Sequence, residues 1–220
     1  PMWHKLPIRI VAIGDGLEYG SEGLSHYALE DIGLMRLQPG ITVIVPVDSR
    51  QAKTALHKTW GLPGPIYYRI SKRDIGPVPN LKGRFSVGKL QIIRQGKDVL
   101  FIAMGRLAHQ VHLAAENLAA KKISAAVAVM ASICPPPKAQ LKRLIRNYQL
   151  VVTVEAHYIT GGIGSLVAEV RAETGASCRI LRCGVRQIPR LDTGKEAYLW
   201  KIRGLSAAEL TKRVMNFFKS

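Results

Sequence analysis

The chain has 220 residues, 47% hydrophobic and 21% charged, which is the composition of an ordinary globular protein with one large or two modest domains. No apolar run approaches the ~20 residues that a membrane span needs, and no signal peptide opens the sequence, so no membrane partner is expected. Lys and Arg outnumber Asp and Glu by 32 to 15, a net charge of +17. The basic residues are scattered and no nucleic-acid motif accompanies them, so the charge favours a solvated basic surface or phosphorylated metabolites over nucleic acid.

The cysteines bear on the cellular compartment of the protein, and the first residue bears on whether the chain is a fragment. Cys134, Cys178 and Cys183 are odd in number and lack metal-ligand spacing. We therefore expect reduced thiols in a cytoplasmic protein, with no metal site among them. Because the sequence begins at Pro1, we also expect a fragment or a processed product.

Strand-like and helix-like segments alternate through the first 70 residues. Short β-branched runs predict strands at 8–13, 41–45 and 66–70. A helix is predicted from the apolar spacing between Leu29 and Leu37, with Ser25 as a candidate N-cap. A second helix is expected after Asp48, another candidate N-cap. Near-continuous apolar strands separated by helices favour a parallel sheet covered on both faces.

A break follows, and the alternation then resumes. The segment 72–83 contains two glycines and two prolines without periodicity, which predicts a linker between domains. Beyond it, strands are predicted at 99–104, 125–130, 150–154 and 178–183. Helices are predicted at 109–121, from the prolines 135–137 to about 148, at 164–173 and at 206–218. We therefore predict an α/β protein of two domains, 1–80 with a partial parallel sheet and 81–220 with a complete, mostly parallel one.

Two glycine-rich loops follow predicted strands. The loop 14–20 resembles a dinucleotide fingerprint, but its spacing is one residue off and its helix begins too late for the backbone to meet a pyrophosphate. It is better interpreted as a loop that lets a ligand approach the end of a strand. The loop 161–165 admits a phosphate cradle, although close packing of a helix start on the sheet is the simpler interpretation.

Polar residues near these strand ends are candidates for a site. Glu22 and His26 stand four residues apart, and a histidine there could relay protons or bind an anion, although an exposed structural histidine is the simpler interpretation of the residues alone. Lys72 and Arg73 follow the third strand, at the carboxyl end of the strands, where parallel folds bind ligands. Both residues can bind a phosphate.

Taken together, these segments resemble the transketolase family. Residues 22–26 are similar to the family's D-G-P-T-H, and 26–36 to its H-x-x-E-D-L-A-L-M-R helix. Residues 39–48 are similar to P-G-M-T-V-x-x-P-A-D, and 64–69 to the G-P-V-Y-L-R of split transketolases, whose halves are separate chains. Residues 154–157 followed by 161–165 look like the V-E-x-H…G-G-x-G-S of the last domain.

The resemblance implies the end of a pyrimidine-binding domain followed by a transketolase C-terminal domain. It implies thiamine diphosphate with Mg²⁺, held mostly by residues outside this chain, and transfer of a two-carbon ketol unit between sugar phosphates. By resemblance, His26 lies near both the cofactor and the reacting substrate, Glu22 meets substrate hydroxyls, and Lys72 meets the sugar phosphate. Arg73 is expected to assist Lys72, and Asp15 lies in the loop that lines the substrate channel.

Departures from the family pattern affect specificity and activity. Glu22 replaces an aspartate, and Lys72 replaces a bidentate arginine with a point charge. The family's activating glutamate and its diphosphate-binding domain precede the first strand seen here. We therefore expect an inactive chain that needs an N-terminal half or subunit, in a homo- or hetero-oligomer.

Three alternatives remain open from the sequence. One is a fragment of a deoxyxylulose-phosphate synthase, and another is part of a 2-oxoacid dehydrogenase beta subunit. The third is a non-catalytic assembly or anion-binding module that uses the positive charge.

Overall fold

Residues 4–187 and 192–219 are described in a computed structural model of the chain. The strands of this part are β1 Arg9–Ile13, β2 Thr42–Ile44, β3 Ile66–Ile70, β4 Gln91–Arg94, β5 Val99–Ala103, β6 Ala125–Val129, β7 Ser132–Cys134, β8 Leu150–Tyr158 and β9 Arg179–Val185. The α-helices are α1 Asp31–Arg36, α2 Ser49–Thr59, α3 Leu107–Ala119, α4 Lys138–Leu144, α5 Ile163–Thr174, α6 Glu196–Ile202 and α7 Ala207–Lys219. The α/β class predicted from the alternation is confirmed.

The first sheet has the order β1-β3-β2-β7. β1, β3 and β2 run parallel, whereas β7 joins β2 in the antiparallel direction. β7 comes from the second half of the chain, so the two halves share this sheet. The predicted division at residue 80 stays a prediction, and the linker segment is firmly held, because Val78 and Leu81 are buried and Val78 N donates to Asp48 Oδ2 at 2.8 Å.

The second sheet has the order β4-β6-β5-β8-β9, in which only the pairing of β4 with β6 is antiparallel among the described strands. Every residue of β5 and β6 is buried. Alternate side chains of β5 enter two cores: one with helices α3 and α7, the other with α4 and α5. Coverage on both faces is why these strands appear in the sequence as continuous apolar runs.

The two predicted helix caps have different outcomes. Asp48 caps α2, because its Oδ1 accepts from Gln51 N at 2.7 Å. Ser25 is not a cap: it lies inside a single 3-10 turn, Leu24–His26, and α1 begins only at Asp31. The helix predicted from Leu29 to Leu37 is therefore shorter than expected.

β1 lies at an edge of its sheet and is poorly covered. Ile10, Val11 and Ile13 are exposed by 36%, 45% and 61%, with Ile10 on one face of the strand and Val11 and Ile13 on the other. Exposed apolar strands at an edge are typical of surfaces that bind another chain. Among the residues described, no helix has the length and apolar character needed to cross a bilayer.

Candidate active site

The candidate residues sit at the carboxyl end of the parallel strands β1 and β3. The strands are in register from Arg9 opposite Ile66 to Ile13 opposite Ile70, so the loops that follow them leave the sheet together. Gly14 N donates to Ile70 O at 3.0 Å, which holds the two loop starts side by side. Ligands of parallel α/β sheets bind at this carboxyl end of the strands.

The ring of Tyr19 brings two of the predicted site residues together. Lys72 Nζ lies 4.7 Å from the centroid of the Tyr19 ring, and the His26 and Tyr19 ring centroids are 6.1 Å apart. The Tyr19 ring covers Gly14, where a Cβ atom would lie 2.3 Å from Tyr19 Cε2 and where φ is +107°. A glycine at position 14 is therefore what lets this ring lie across the end of β1.

Two of the predicted residues on this surface are exposed acid and base groups. His26 is exposed, and its Nδ1 lies 3.0 Å from Ser25 Oγ. Glu22 accepts from Ser21 Oγ at 2.7 Å, and this hydrogen bond, with the nearby charges of His26 and Lys72, lowers the Glu22 pKa. We call Tyr19, Glu22, His26 and Lys72 the Tyr19 cluster. It places a carboxylate, an imidazole and an ammonium group on one open surface.

Asp15 and Arg73 lie beside the Tyr19 cluster in different settings. Asp15 is 5% exposed and forms an ion pair with Arg69 at 3.0 Å, so its carboxylate is engaged inside the protein. Arg73 is exposed and lines a cavity of about 440 Å³ together with Lys72 and Arg106. Its basic side chain therefore remains available to an anion, and the ligand roles of both residues stay predictions.

A network of buried ion pairs supports the loops from below. Arg69 lies between Asp15 and Asp31, at 3.0 and 3.6 Å. Arg106 Nη1 lies 2.9 Å from Glu18 Oε1 and 2.7 Å from Glu196 Oε2. Burial raises the pKa of Glu196 to about 7, although the charge of Arg106 opposes the shift. Sequence reasoning missed Glu18 and Arg106, because their partners lie far away along the chain.

Residues Asp192 and Gly194, from the C-terminal half of the chain, also hold the loop that carries His26. Tyr27 Oη donates to Asp192 O at 2.5 Å, and Gly194 N donates to Gly20 O at 2.9 Å. The two halves of the chain therefore shape this surface together.

The second glycine-rich loop forms no phosphate cradle. Glu155 is fully buried, and its carboxylate accepts from Ile163 N at 2.7 Å and from Gly164 N at 2.9 Å. A Cβ atom at Gly162 would lie 1.8 Å from Glu155 Oε2. Burial raises the pKa of Glu155 to about 7, and the two N–H groups oppose the shift. The structure thus shows the close packing that was the simpler interpretation, with an internal carboxylate at the N-terminus of α5.

The described residues fit one side of a cofactor site rather than a whole one. In ranges 4–187 and 192–219, no group of three His, Cys, Asp or Glu side chains is placed to hold a metal ion. The His26 imidazole is exposed beside the Tyr19 ring, so an organic ligand can reach it, and its contact with a cofactor and substrate stays a prediction. The metal and diphosphate would then be held by other residues.

Two family descriptions cover most of the sequence. Residues 3–77 match the transketolase pyrimidine-binding domain, and residues 88–209 match the transketolase C-terminal domain. The chain belongs to the transketolase family.

Relatives within this transketolase family match over nearly the whole chain. A protein named "Putative transketolase C-terminal section" from Methanocaldococcus jannaschii is 35% identical over 98% of this chain and 67% of its own length. One subunit of an apulose-4-phosphate transketolase from Actinobacillus succinogenes is 30% identical over 93% of this chain and 66% of its own. A solved structure, "Split gene transketolase, inactive beta4 tetramer", has a TM-score of 0.85 and 33% identity, over 97% of this chain and 67% of that one. The chain thus spans about two thirds of the length of these relatives.

Proposed function

We propose that this chain is the C-terminal part of a thiamine-diphosphate-dependent transketolase that moves a two-carbon ketol unit between sugar phosphates. The observation that supports this best is the Tyr19 cluster. In it an imidazole, a carboxylate and an ammonium group share one open surface at the carboxyl end of the parallel strands, where ligands of such folds bind. The family relationship supplies the reaction type, and named relatives are themselves parts of transketolases.

Different side chains of this chain would have different roles toward the sugar. Thiamine diphosphate, when bound with Mg²⁺, would supply the carbon nucleophile that the reaction needs. His26 would exchange a proton with the sugar oxygen at the reacting carbon, since an imidazole can both donate and accept a proton. Glu22 would accept hydrogen bonds from sugar hydroxyl groups, and its lowered pKa keeps it ionised for that task.

The phosphate end of the sugar would meet the two basic residues after β3. Lys72 projects over Tyr19, and Arg73 lines the adjoining cavity, so both can reach an anion between the two loops. Lysine binds a phosphate as a point charge, and arginine can bind it through two parallel hydrogen bonds. Asp15, paired with Arg69, would fix the course of the loop that lines the channel.

A partner chain is part of the proposal. A named relative is itself one subunit of a transketolase, which supports an N-terminal transketolase half or subunit as the source of the diphosphate and metal sites. The exposed apolar side chains of β1 give that partner, or a second copy, a surface to cover. The working form would be an oligomer that contains both halves.

The experiment compares His26→Ala with His57→Ala in an assembly made with a transketolase N-terminal subunit. His57 is an exposed histidine on α2 and serves as the matched control. Loss of a proton-relay group typically lowers turnover by about 10²-fold or more, and we expect this only for His26→Ala. Melting temperature should hardly change, because an exposed imidazole contributes little packing. Intact turnover with a collapsed melting temperature would show that His26 is structural.

A further inference from the structure

Glu18 is a buried carboxylate with an unusual number of hydrogen-bond donors around it. The side chain is 1% exposed, in the loop between β1 and His26. Its two oxygens accept from five groups, at 2.7–3.2 Å: Asp15 N, Ser71 Oγ, Lys72 N, Arg73 N and Arg106 Nη1. Burial opposes ionisation, but the backbone N–H groups of Lys72, Arg73 and Asp15 outweigh it and hold the pKa of Glu18 below its usual value.

Three of the five donors belong to consecutive residues, Ser71–Arg73. β3 ends at Ile70, so no strand or helix sets the path of this segment. The carboxylate of Glu18 takes the place of a regular hydrogen-bond partner, because Lys72 N and Arg73 N both point at it, at 2.7 and 2.8 Å. The backbone from which the two basic side chains project is therefore bonded directly to this carboxylate.

Arg106 connects the same carboxylate to the second half of the chain. It is 4% exposed and lies just before α3, between Glu18 and Glu196 at the start of α6. The guanidinium offsets part of the charge of two carboxylates that burial would otherwise penalise. Glu18 is thus held in place by its ion pair with Arg106, and its carboxylate in turn holds the segment Ser71–Arg73.

We propose that Glu18 is a positioning residue for phosphate recognition, because it holds the backbone from which Lys72 and Arg73 reach the substrate. The identity of the ligand as a sugar phosphate rests on the proposed function, whereas the positioning of the segment does not. Glu18 itself is buried and acts only through the two basic residues.

Glu18→Gln separates this role from a general need for a side chain at this position. Glutamine has nearly the same size, but its NH₂ group would face at least two of the donors in either orientation. The control is Glu116→Gln on α3, where the carboxylate is 53% exposed and pairs with His112 only among the described ion pairs.

The first measurement is amide hydrogen exchange by mass spectrometry on the full chain. We expect Glu18→Gln to speed exchange at Lys72 or Arg73 by about tenfold or more while β5 stays protected, because the two amides bond different oxygens of Glu18 and one of them faces the NH₂ group in either orientation. Glu116→Gln should match the wild type. Unchanged exchange at Lys72 and Arg73 would overturn the proposal.

The second measurement uses the assembly with a transketolase N-terminal subunit. We expect Glu18→Gln to raise the KM for phosphorylated acceptors about tenfold, with kcat and the KM for non-phosphorylated acceptors nearly unchanged. Equal losses on both acceptors, together with a lower melting temperature, would mean a structural role and overturn the proposal. If Glu18→Gln does not fold, Ser71→Ala removes one donor and keeps the charge, and it should give a smaller rise in the same KM. Its failure to do so would count equally against the proposal.

The outcome for Glu18 can be told apart from the outcome for the proposed function. If the wild-type assembly transfers no ketol unit, the proposed function is wrong. Calorimetric titration of the assembly with ribose 5-phosphate and with ribose then replaces the KM comparison. Weaker binding of ribose 5-phosphate alone in Glu18→Gln supports the positioning role, and equal binding by variant and wild type overturns it.

Discussion

Lys72→Ala should weaken the hold on a substrate phosphate and leave the chemistry almost untouched. Lys72 is exposed at the end of β3, with its Nζ 4.7 Å from the Tyr19 ring centroid. A phosphate beside it would gain a charge-assisted hydrogen bond of ~1.5–3 kcal/mol. The phosphate of the sugar is remote from its reacting carbon, so most of this energy is present before the transition state.

The expected effect on KM follows from that energy. At about 1.4 kcal/mol per factor of ten, the lower end of the range corresponds to a rise in KM of about tenfold. The kcat should be nearly unchanged, because the interaction is equally strong in the ground state and the transition state. Loss of an exposed cation–π contact costs only ~0.5–1 kcal/mol, so the variant should remain folded.

The assay measures KM and kcat on phosphorylated and non-phosphorylated acceptors in the assembly with an N-terminal subunit. Lys121→Ala, an exposed lysine after α3, is the control for loss of one positive charge. Lys72→Arg should retain or improve affinity, since arginine can bind a phosphate through two hydrogen bonds. Equal losses on both kinds of acceptor would refute the reasoning and assign phosphate recognition to Arg73 or to no residue of this segment.

Three further predictions concern the chain itself. The isolated chain should not bind thiamine diphosphate tightly, because the family's activating glutamate and diphosphate-binding domain are expected outside this chain; submicromolar, Mg-dependent binding by calorimetry would contradict this. It should self-associate or bind a partner through the exposed β1 edge, and a stable monomer in light scattering at high concentration would argue against that. Glu196 has its pKa raised by burial from 4.5 to about 7, so the folded state keeps its proton longer than the unfolded state, and Glu196 should make stability fall as pH rises from about 4.5 to about 7. Glu196→Gln should flatten that fall in denaturant titrations at several pH values, and an unchanged slope would show that Glu196 does not titrate there.

The fold was predictable where local pattern and tertiary structure agree. Strands buried on both faces, such as β5 and β6, appear in the sequence as unbroken apolar runs, and Asp48 has the local chemistry of a cap. β4 and β7 were missed, because each is short and is defined mainly by pairing with distant residues. α6 follows a segment with no periodic signal and was missed as well.

The sequence indicated which polar residues lie near one another, but not the buried groups that support them, and the roles of the predicted site residues stay predictions. The glycine-rich loop after β1 and the basic residues after β3 indicate that a ligand binds at the carboxyl end of these strands. The structure brings Glu22, His26 and Lys72 together there. Glu18 lies 53 or more positions from Ser71, Lys72 and Arg73, and 88 from Arg106. No local pattern connects residues so far apart, and only the folded chain shows that one carboxylate holds them.

The most direct test of the account is ketol transfer by the reconstituted assembly. A transketolase N-terminal subunit is assayed alone, with this chain, and with its His26→Ala variant, in the presence of thiamine diphosphate, Mg²⁺ and a ketose phosphate donor with an aldose phosphate acceptor. We predict transfer only when the wild-type chain is added, and a rate lower by about 10²-fold or more with the variant. Equal transfer with and without the chain, or no transfer although the two subunits form a stable complex, would contradict the account.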